Sequence, residues 1–145
     1  MSDLARNKRA YFDYEILEKY EAGIELFGFE VKAVRAGKMS LSAAHVIVRG
    51  GEAWLLNADI QPYQRANTPD SYEISRTRKL LLHKSQLNYL MGKAAEKGLT
   101  IVPLRCYSRG RTVKIEIGVA RSRKQYDKRE VLKKRAAIRD MRHAD

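Results

Sequence analysis

From Phe12 to Leu26 the chain alternates. Even positions carry Phe12, Tyr14, Ile16, Tyr20, Ala22, Ile24 and Leu26, broken only by Glu18, while the odd ones are mostly charged: Asp13, Glu15, Lys19, Glu21 and Glu25. A two-residue period of that length predicts an antiparallel strand, either one long strand or two divided near Gly23. Residues 29–38, FEVKAVRAGK, change period: Val31 and Val34 lie three apart on one face, and Gly37 is placed to end a short helix. HVIVRGGEAWLLNADI, 45–60, has β-rich runs on either side of Gly50-Gly51, a two-residue turn that accepts positive φ, and predicts a hairpin. In its second run Trp54, Leu56, Ala58 and Ile60 share one face. Residues 61–77 form a long polar loop with two prolines, and loops of that length are commonly functional or mobile.

KLLL, at 79–82, suits a short strand. From His83 onward Leu87, Leu90, Met91 and Ala94 take helical spacing up to Gly98, and His83 with Gln86 three residues on has the layout of a capping box. Residues 100–120 predict a second hairpin turning near Ser108–Arg111. Val102, Leu104 and Cys106 alternate in one arm, and Val113, Ile115, Ile117 and Val119 in the other. Residues 1–10 read as a polar, basic lead-in. The sum is about six strands and two to three helices, with no βαβ rhythm and no internal repeat. That predicts an α+β chain that is mainly β: a small antiparallel β-barrel of OB-like topology.

Charge divides the chain. Its 145 residues carry 29 Lys or Arg against 17 Asp or Glu, a net +12. From Arg121 to the end there are ten basic and four acidic residues, so about a sixth of the length holds half the excess. Large apolar residues are scarce there, so this stretch cannot bury much of itself. The expected organisation is one barrel domain over 1–120 and a basic C-terminal tail over 121–145. Nucleic acid is the commonest partner for such a surplus. Basic residues cluster at Arg6, Lys8 and Arg9; at Lys32, Arg35 and Lys38; at Arg76, Arg78, Lys79 and Lys84; and in the tail. Tyr11, Tyr14, Tyr20, Tyr63, Tyr72 and Tyr126 are candidates to stack on bases, although core or rim packing is the ordinary role of any one of them.

No reaction centre is legible. There is no phosphate loop, no dinucleotide fingerprint and no H-E-x-x-H. The single cysteine, Cys106, excludes an internal disulfide and a Cys-cluster zinc site, and within an alternating apolar row it reads as a small core residue. His45, His83 and His143 lie far apart, so no cofactor and no metal are expected. No apolar run is long enough to span a membrane and MSDLARNKRAYF has no secretory apolar region, so the expectation is a soluble cytoplasmic protein that is not an enzyme.

NKRAYFDYEILEKYEAGIEL, EVKAVRAGK, RTRKLLLHK and KQYDKRE, in this order and spacing, resemble the SsrA-binding protein family, also called small protein B or SmpB. The resemblance covers roughly residues 7–135. It implies an OB-like barrel with flanking helices, no catalysis, and binding to the tRNA-like domain of transfer-messenger RNA (tmRNA, or SsrA). It implies support for charging of that RNA with alanine by alanyl-tRNA synthetase. It also implies delivery with elongation factor Tu to stalled ribosomes in trans-translation, the route of ribosome rescue. The implied partners are the RNA and the small-subunit decoding site and message channel of the ribosome, with the two proteins engaged through the RNA and no membrane. The RNA-binding residues it implies are Asn7, Lys8, Glu21, Leu81 and His83. The ribosome-binding tail residues are Lys124, Tyr126, Asp127, Lys128 and Arg129. Each has a plainer alternative: Glu21 as an outward strand carboxylate, Leu81 as core, His83 as a helix cap, Asp127 as support for helix entry. A general OB-type ribosomal or RNA-binding protein fits the composition equally, and only the ordered motifs separate the two. An RNA-processing enzyme with a dispersed metal site is a further alternative that no motif supports.

The tail has its own physics. Leu132, Lys133, Lys134, Arg135, Ala136 and Ala137 are good helix formers, and Lys128, Leu132, Arg135, Arg139 and Arg142 line one face. Isolated helices of this length are marginal in water and like charges weaken them. The tail is expected to be disordered when free and helical on the ribosome, where an RNA-walled channel neutralises it.

Overall fold

The alternation that begins near Phe12 becomes a single strand. In the computed structural model, which describes residues 3–142 with the side chains of 125–127 and 140–142 outside that description, β1 (Asp3–Arg6) and α1 (Ala10–Asp13) precede β2 (Tyr14–Ile24). Then come α2 (Gly28–Arg35), β3 (Met39–Ser40), β4 (His45–Arg49), β5 (Glu52–Leu56) and β6 (Asp59–Ile60). β7 (Arg78–Leu81), α3 (Lys84–Ala95), β8 (Leu99–Arg109), β9 (Thr112–Ser122) and α4 (Gln125–Arg142) complete the order. Both predicted hairpins form. Gly50 and Gly51, at φ 63° and 74°, turn β4 into β5, and Gly110, at φ 63°, turns β8 into β9.

The protein is α+β, with a seven-stranded antiparallel sheet and four helices among the described residues. The order is β1-β8-β4-β5-β7-β2-β9, and β8 also pairs with β9. That extra pairing joins the two ends of a six-strand run, so the sheet curls into a nearly closed ring. The ring is thinnest at β4–β8, where Val46 opposite Ile101 is the register pair, and at β2–β7, where Gly23 faces Leu81 and Ile24 faces Leu80. β3 and β6 form a separate two-stranded ladder. The expected six strands are therefore too few. The supposed lead-in supplies β1, which pairs with β8 from Asp3 to Arg6.

The inside of the ring is apolar. Leu55, Ile60, Leu80, Leu90, Ile101 and Ile115 are each at most 1% exposed. Full burial of side chains of this size contributes roughly 1.5–3 kcal/mol apiece. Two expected faces are out of phase with this core, each for a backbone reason. In β5 the buried residues are Ala53 and Leu55, not Trp54 and Leu56, whereas Ala58 and Ile60 are buried as expected. Asn57, at φ 59°, takes one residue in the left-handed region and resets the phase between the two pairs. In β8, a bulge between Pro103 and Arg105 splits the row. Cys106 faces the main core with Ile101, while Val102 and Leu104 pack with Ala10 and Ala120 in a smaller cluster under α1. Burial pushes the Cys106 thiol up to about 12, consistent with a packed, unreactive residue.

One buried ionic network ties the long loop to this body. Glu30 is fully buried on the inward face of α2, beside Ala33 and Val34. It accepts hydrogen bonds from the Phe27 N–H at 2.8 Å, from the Tyr72 hydroxyl at 2.9 Å, and from Arg78 Nε at 2.9 Å and Nη2 at 2.6 Å. Arg76 adds a second guanidinium, with Nε 3.1 Å away. Burial pushes the Glu30 carboxyl up, but Arg76, the Phe27 amide and Arg78 outweigh it and hold the group below its usual range. Arg78, also fully buried, donates to the carbonyls of Ala58, Ile74 and Arg76 as well. The polar loop is thus anchored by its last residues, and Arg78 is removed from the basic surface on which the sequence had placed it.

Candidate nucleic-acid interface

Registers across β2, β9, β8 and β1 align side chains in rows on the outer face of the ring. One row runs Glu21, Glu116, Arg105, Arg6, and the next Gly23, Lys114, Tyr107, Asp3. Leu81 of β7 adjoins the second row through its pairing with Gly23. Each row brings acidic and basic side chains side by side: Glu116 faces Arg105 in the first, and Asp3 and Lys114 flank Tyr107 in the second. Arg105 reaches Asp3 at 2.8 Å and Glu116 at 3.5 Å, and its guanidinium lies 4.3 Å from the centre of the Tyr107 ring.

Glu21 is held rather than merely exposed. Arg109 Nη1 donates to its two carboxylate oxygens at 2.8 and 3.1 Å, and the Tyr107 hydroxyl donates to Oε2. The Tyr107 hydroxyl first, then the Arg109 guanidinium, hold the Glu21 carboxyl below its ordinary value against the opposing effect of burial. Burial and the neighbouring carboxylate push the Tyr107 phenol up to about 12, so it stays a donor. A carboxylate offers about four acceptor positions, so three donated bonds leave room for one more donor from outside, such as a ribose hydroxyl or a base amino group.

Leu81 is 48% exposed while its neighbour Leu80 is 1% exposed, which removes core packing as the reason for a leucine at position 81. Strand alternation turns Leu82 back towards the main core and His83 outward again. His83 is the N-cap of α3, and its backbone N–H donates to Gln86 Oε1 at 3.1 Å, one half of the expected capping box. Lys8 is exposed and has no ion-pair partner among the described residues. Asn7 is different. It is 8% exposed, with its side-chain amide donating to the Pro103 carbonyl at 2.9 Å and its backbone N–H to the Leu104 carbonyl at 2.8 Å. It fixes the chain that carries Lys8 and Tyr11 onto β8.

Four of the five expected body residues thus present a side chain outward on or beside this one curved face, and the fifth holds its edge. Sequence reading missed Arg109, Lys114 and Arg105, which share the face through cross-strand register, and Tyr107, which is buried beneath it and supports Glu21 from below. It also missed Glu30, for which the available signal was a lone carboxylate in step with Ala33 and Val34 on the inward side of a helix.

The tail begins where β9 ends. β9 runs to Ser122, two residues past the expected domain limit, and pairs with Tyr14 there. Arg123 then donates from its backbone N–H to the Asp13 carbonyl at 2.9 Å and from Nε to the Tyr14 carbonyl at 3.2 Å. α4 follows. Lys128 Nζ lies 3.4 Å from Asp13 Oδ1 and 5.8 Å from the Phe12 ring centre. Lys124 precedes the helix and Arg129 is exposed on it, while the side chains of Tyr126 and Asp127 lie outside the described residues. No described side chain of α4 is buried.

Among the described residues no group of three or more His, Cys, Asp or Glu is placed to hold a metal ion, and no helix is long and apolar enough to cross a membrane. A curved sheet face with exposed cations such as Lys8 and Arg109 and a held carboxylate, carried on a +12 chain with a basic appended helix, defines a nucleic-acid-binding protein.

Comparison with known proteins fixes which kind. Residues 4–144 match the family model described as SmpB protein. The chain is 50% identical over 138 residues to the SsrA-binding protein of Gloeothece citriformis, covering 95% of this chain and 89% of that one. It is 52% identical over 136 residues to the SsrA-binding protein of Chlorobaculum tepidum, covering 93% and 86%. A chain in a solved structure described as "tmRNA-SmpB: a journey to the center of the bacterial ribosome" is 46% identical, superposes with a TM-score of 0.69, and is matched over 83% of this chain and 84% of its own length. The chain belongs to the SmpB family, and is an RNA-binding protein rather than an enzyme.

Proposed function

We propose that the outer face around Glu21, Leu81 and His83, with Lys8 at its edge, takes the tRNA-like domain of transfer-messenger RNA, and that α4 acts separately on the ribosome. As an SmpB protein the chain binds tmRNA and serves trans-translation at the ribosome. The observation that carries the assignment to this face is Glu21: an ionised carboxylate pre-oriented by Tyr107 and Arg109, one acceptor position short of full, beside a leucine that packs against nothing interior. Bound there, the protein supports charging of the RNA with alanine by alanyl-tRNA synthetase. It then accompanies the RNA with elongation factor Tu to ribosomes stalled on messages without a stop codon. The near-closed ring serves as a barrel of OB type standing in for the absent anticodon arm. The tail, with Lys124, Tyr126, Asp127, Lys128 and Arg129 at its start, enters the empty message channel past the decoding site. Its helix, α4, is marginal by itself because like charges crowd it, and the polyanionic wall of the channel stabilises it once it leaves the body. The work is cytoplasmic.

The test is capture of RNA from a bacterial lysate by the full-length protein, followed by sequencing. One dominant tRNA-ended species of a few hundred nucleotides is the expected result. A broad mixture of ribosomal and messenger RNA would reduce the protein to a general RNA binder.

A further inference from the structure

A recess of about 490 Å³ opens where β1, α1, β2, β8 and β9 meet. Five cations line it, Arg6, Lys8, Lys19, Arg105 and Arg135, against one carboxylate, Glu116. Tyr11 forms another wall and is 41% exposed. Lys19 stands two residues before Glu21 on β2, so the recess continues the face proposed above.

We infer that this recess is a nucleotide subsite, in which a backbone phosphate of the bound RNA sits between Lys8, Lys19 and Arg105 while an unpaired base stacks on the Tyr11 ring. The inference rests on the reading that the adjoining face binds transfer-messenger RNA. The cations differ in how free they are. Arg6 and Arg105 both reach Asp3, at 2.8 Å each, and Arg105 also reaches Glu116. Their charge is largely answered from within, and their forks are fixed in place. Lys8 has no ion-pair partner among the described residues, and the Lys19 ammonium, which the Tyr11 hydroxyl and the more distant Glu116 hold in its charged form without an ion pair, lies 5.3 Å from the Tyr11 ring centre. That contact attracts the cation without neutralising it. The recess therefore holds surplus positive charge at Lys8 and Lys19, which is what a phosphodiester requires, and an aromatic surface beside it, which is what a base requires. Arg135 reaches the rim from α4. In the proposed cycle that helix departs for the message channel, so the phosphate is held by the cations of the body.

Asn7 gains a physical role in this picture. Its side chain is buried against the Pro103 carbonyl and has little surface to offer RNA. By fixing the turn between β1 and α1 it sets the positions of Lys8 and Tyr11, and so acts as a positioning residue for the subsite.

Binding of full-length protein to transfer-messenger RNA, measured across a salt series, tests this. Lys19→Gln is expected to weaken binding about three- to tenfold at low salt and to reduce the slope of log Kd against log salt by roughly one contact's share, while Lys19→Arg restores both. Tyr11→Ala is expected to weaken binding about tenfold at every salt concentration with the slope unchanged, because stacking releases no counterion. Lys19 and Tyr11 are both exposed, and an unchanged thermal midpoint in each variant excludes misfolding. Wild-type Kd and slope in both variants would overturn the subsite. A loss in Lys19→Gln with no change of slope would overturn the phosphate assignment. Glu21→Ala, measured alongside, separates the two readings. If it weakens binding while the recess variants do not, the face stands and the subsite falls. If the recess variants weaken binding and Glu21→Ala does not, the subsite stands and the face must be redrawn around it.

Discussion

Arg78 and Glu30 are both fully buried and meet with Arg78 Nη2 2.6 Å from Glu30 Oε2. Removing one charge of such a pair leaves the other uncompensated in a low-dielectric interior, which typically costs about 3–5 kcal/mol. Glu30→Gln is therefore expected to lower unfolding free energy by about that amount in urea denaturation. The same variant frees Arg76 and Tyr72, so proteolysis within 61–77 should accelerate. Destabilisation below about 1 kcal/mol would show that the surrounding carbonyls suffice for Arg78.

The same carboxylate sets a pH dependence. Its folded-state pKa lies below the ordinary value of 4.5. A depressed carboxyl contributes stability that is fully present above the unfolded-state value and is lost as pH falls through the folded one. The difference in stability between the wild type and Glu30→Gln should therefore be flat from neutral pH down to about 5 and shrink below about 4.5. A difference that shrank between pH 7 and 6 would point to another group.

Adjacent leucines should separate stability from binding. Leu80→Ala removes a fully buried side chain and is expected to cost about 2–5 kcal/mol. Leu81→Ala, at a half-exposed position, should change stability by about 0.5 kcal/mol or less and yet weaken binding to transfer-messenger RNA. Chemical denaturation and gel-shift titration of both variants check this, and equal RNA affinity for Leu81→Ala and wild type would remove Leu81 from the interface.

Glu21→Ala is expected to leave the fold intact and weaken RNA binding, because the acceptor position offered to the RNA is lost and exposed Arg109 loses the partner that orients it. Glu21→Gln, which keeps one acceptor oxygen, should fall between the two. Affinity of the wild type should drop at least about tenfold between low and moderately high salt, as counterion release demands. A flat salt profile would contradict an electrostatic footprint.

The tail and the body should come apart cleanly. Truncation after Lys124 spares β9 and the two Arg123 hydrogen bonds, and removes no buried side chain among those described. Thermal stability and RNA binding should persist, while tagging of a non-stop peptide in a translation extract should collapse. Changing Asp127, Lys128 and Arg129 together to Ala should reduce tagging with the helix formers left in place. Normal tagging by the truncated protein would make the tail a solvated end, and loss of folding would make it part of the domain.

Local pattern alone gives the hairpins, the turns at Gly50-Gly51 and Gly110, the helix from Lys84 and the division between an apolar body and a basic tail. These depend on residues a few positions apart, and side-chain periodicity carries that information. The motifs of the family, an ordered set of short segments, singled out Glu21, Leu81, His83, Asn7 and Lys8 as proposed RNA contacts, where charge and propensity named no individual residue. Pattern failed where a single backbone irregularity reset a phase: the positive φ at Asn57 reversed the face of β5, and the bulge after Pro103 sent Val102 and Leu104 away from Cys106. It failed again where charge had to be assigned an environment. Arg78 and Lys79 look alike in sequence, yet only the fold buries the first on Glu30, 48 positions away, and leaves the second near the surface. Tyr107 and Arg109 meet Glu21 across 86 and 88 positions, a distance that only strand register closes. Sequence by itself determined the longer elements, the charge surplus and the family, but not β1, which is a strand only because β8 pairs with it. Tertiary structure decided which cations remain free for RNA and which are consumed inside, because burial and pairing are properties of neighbours in space.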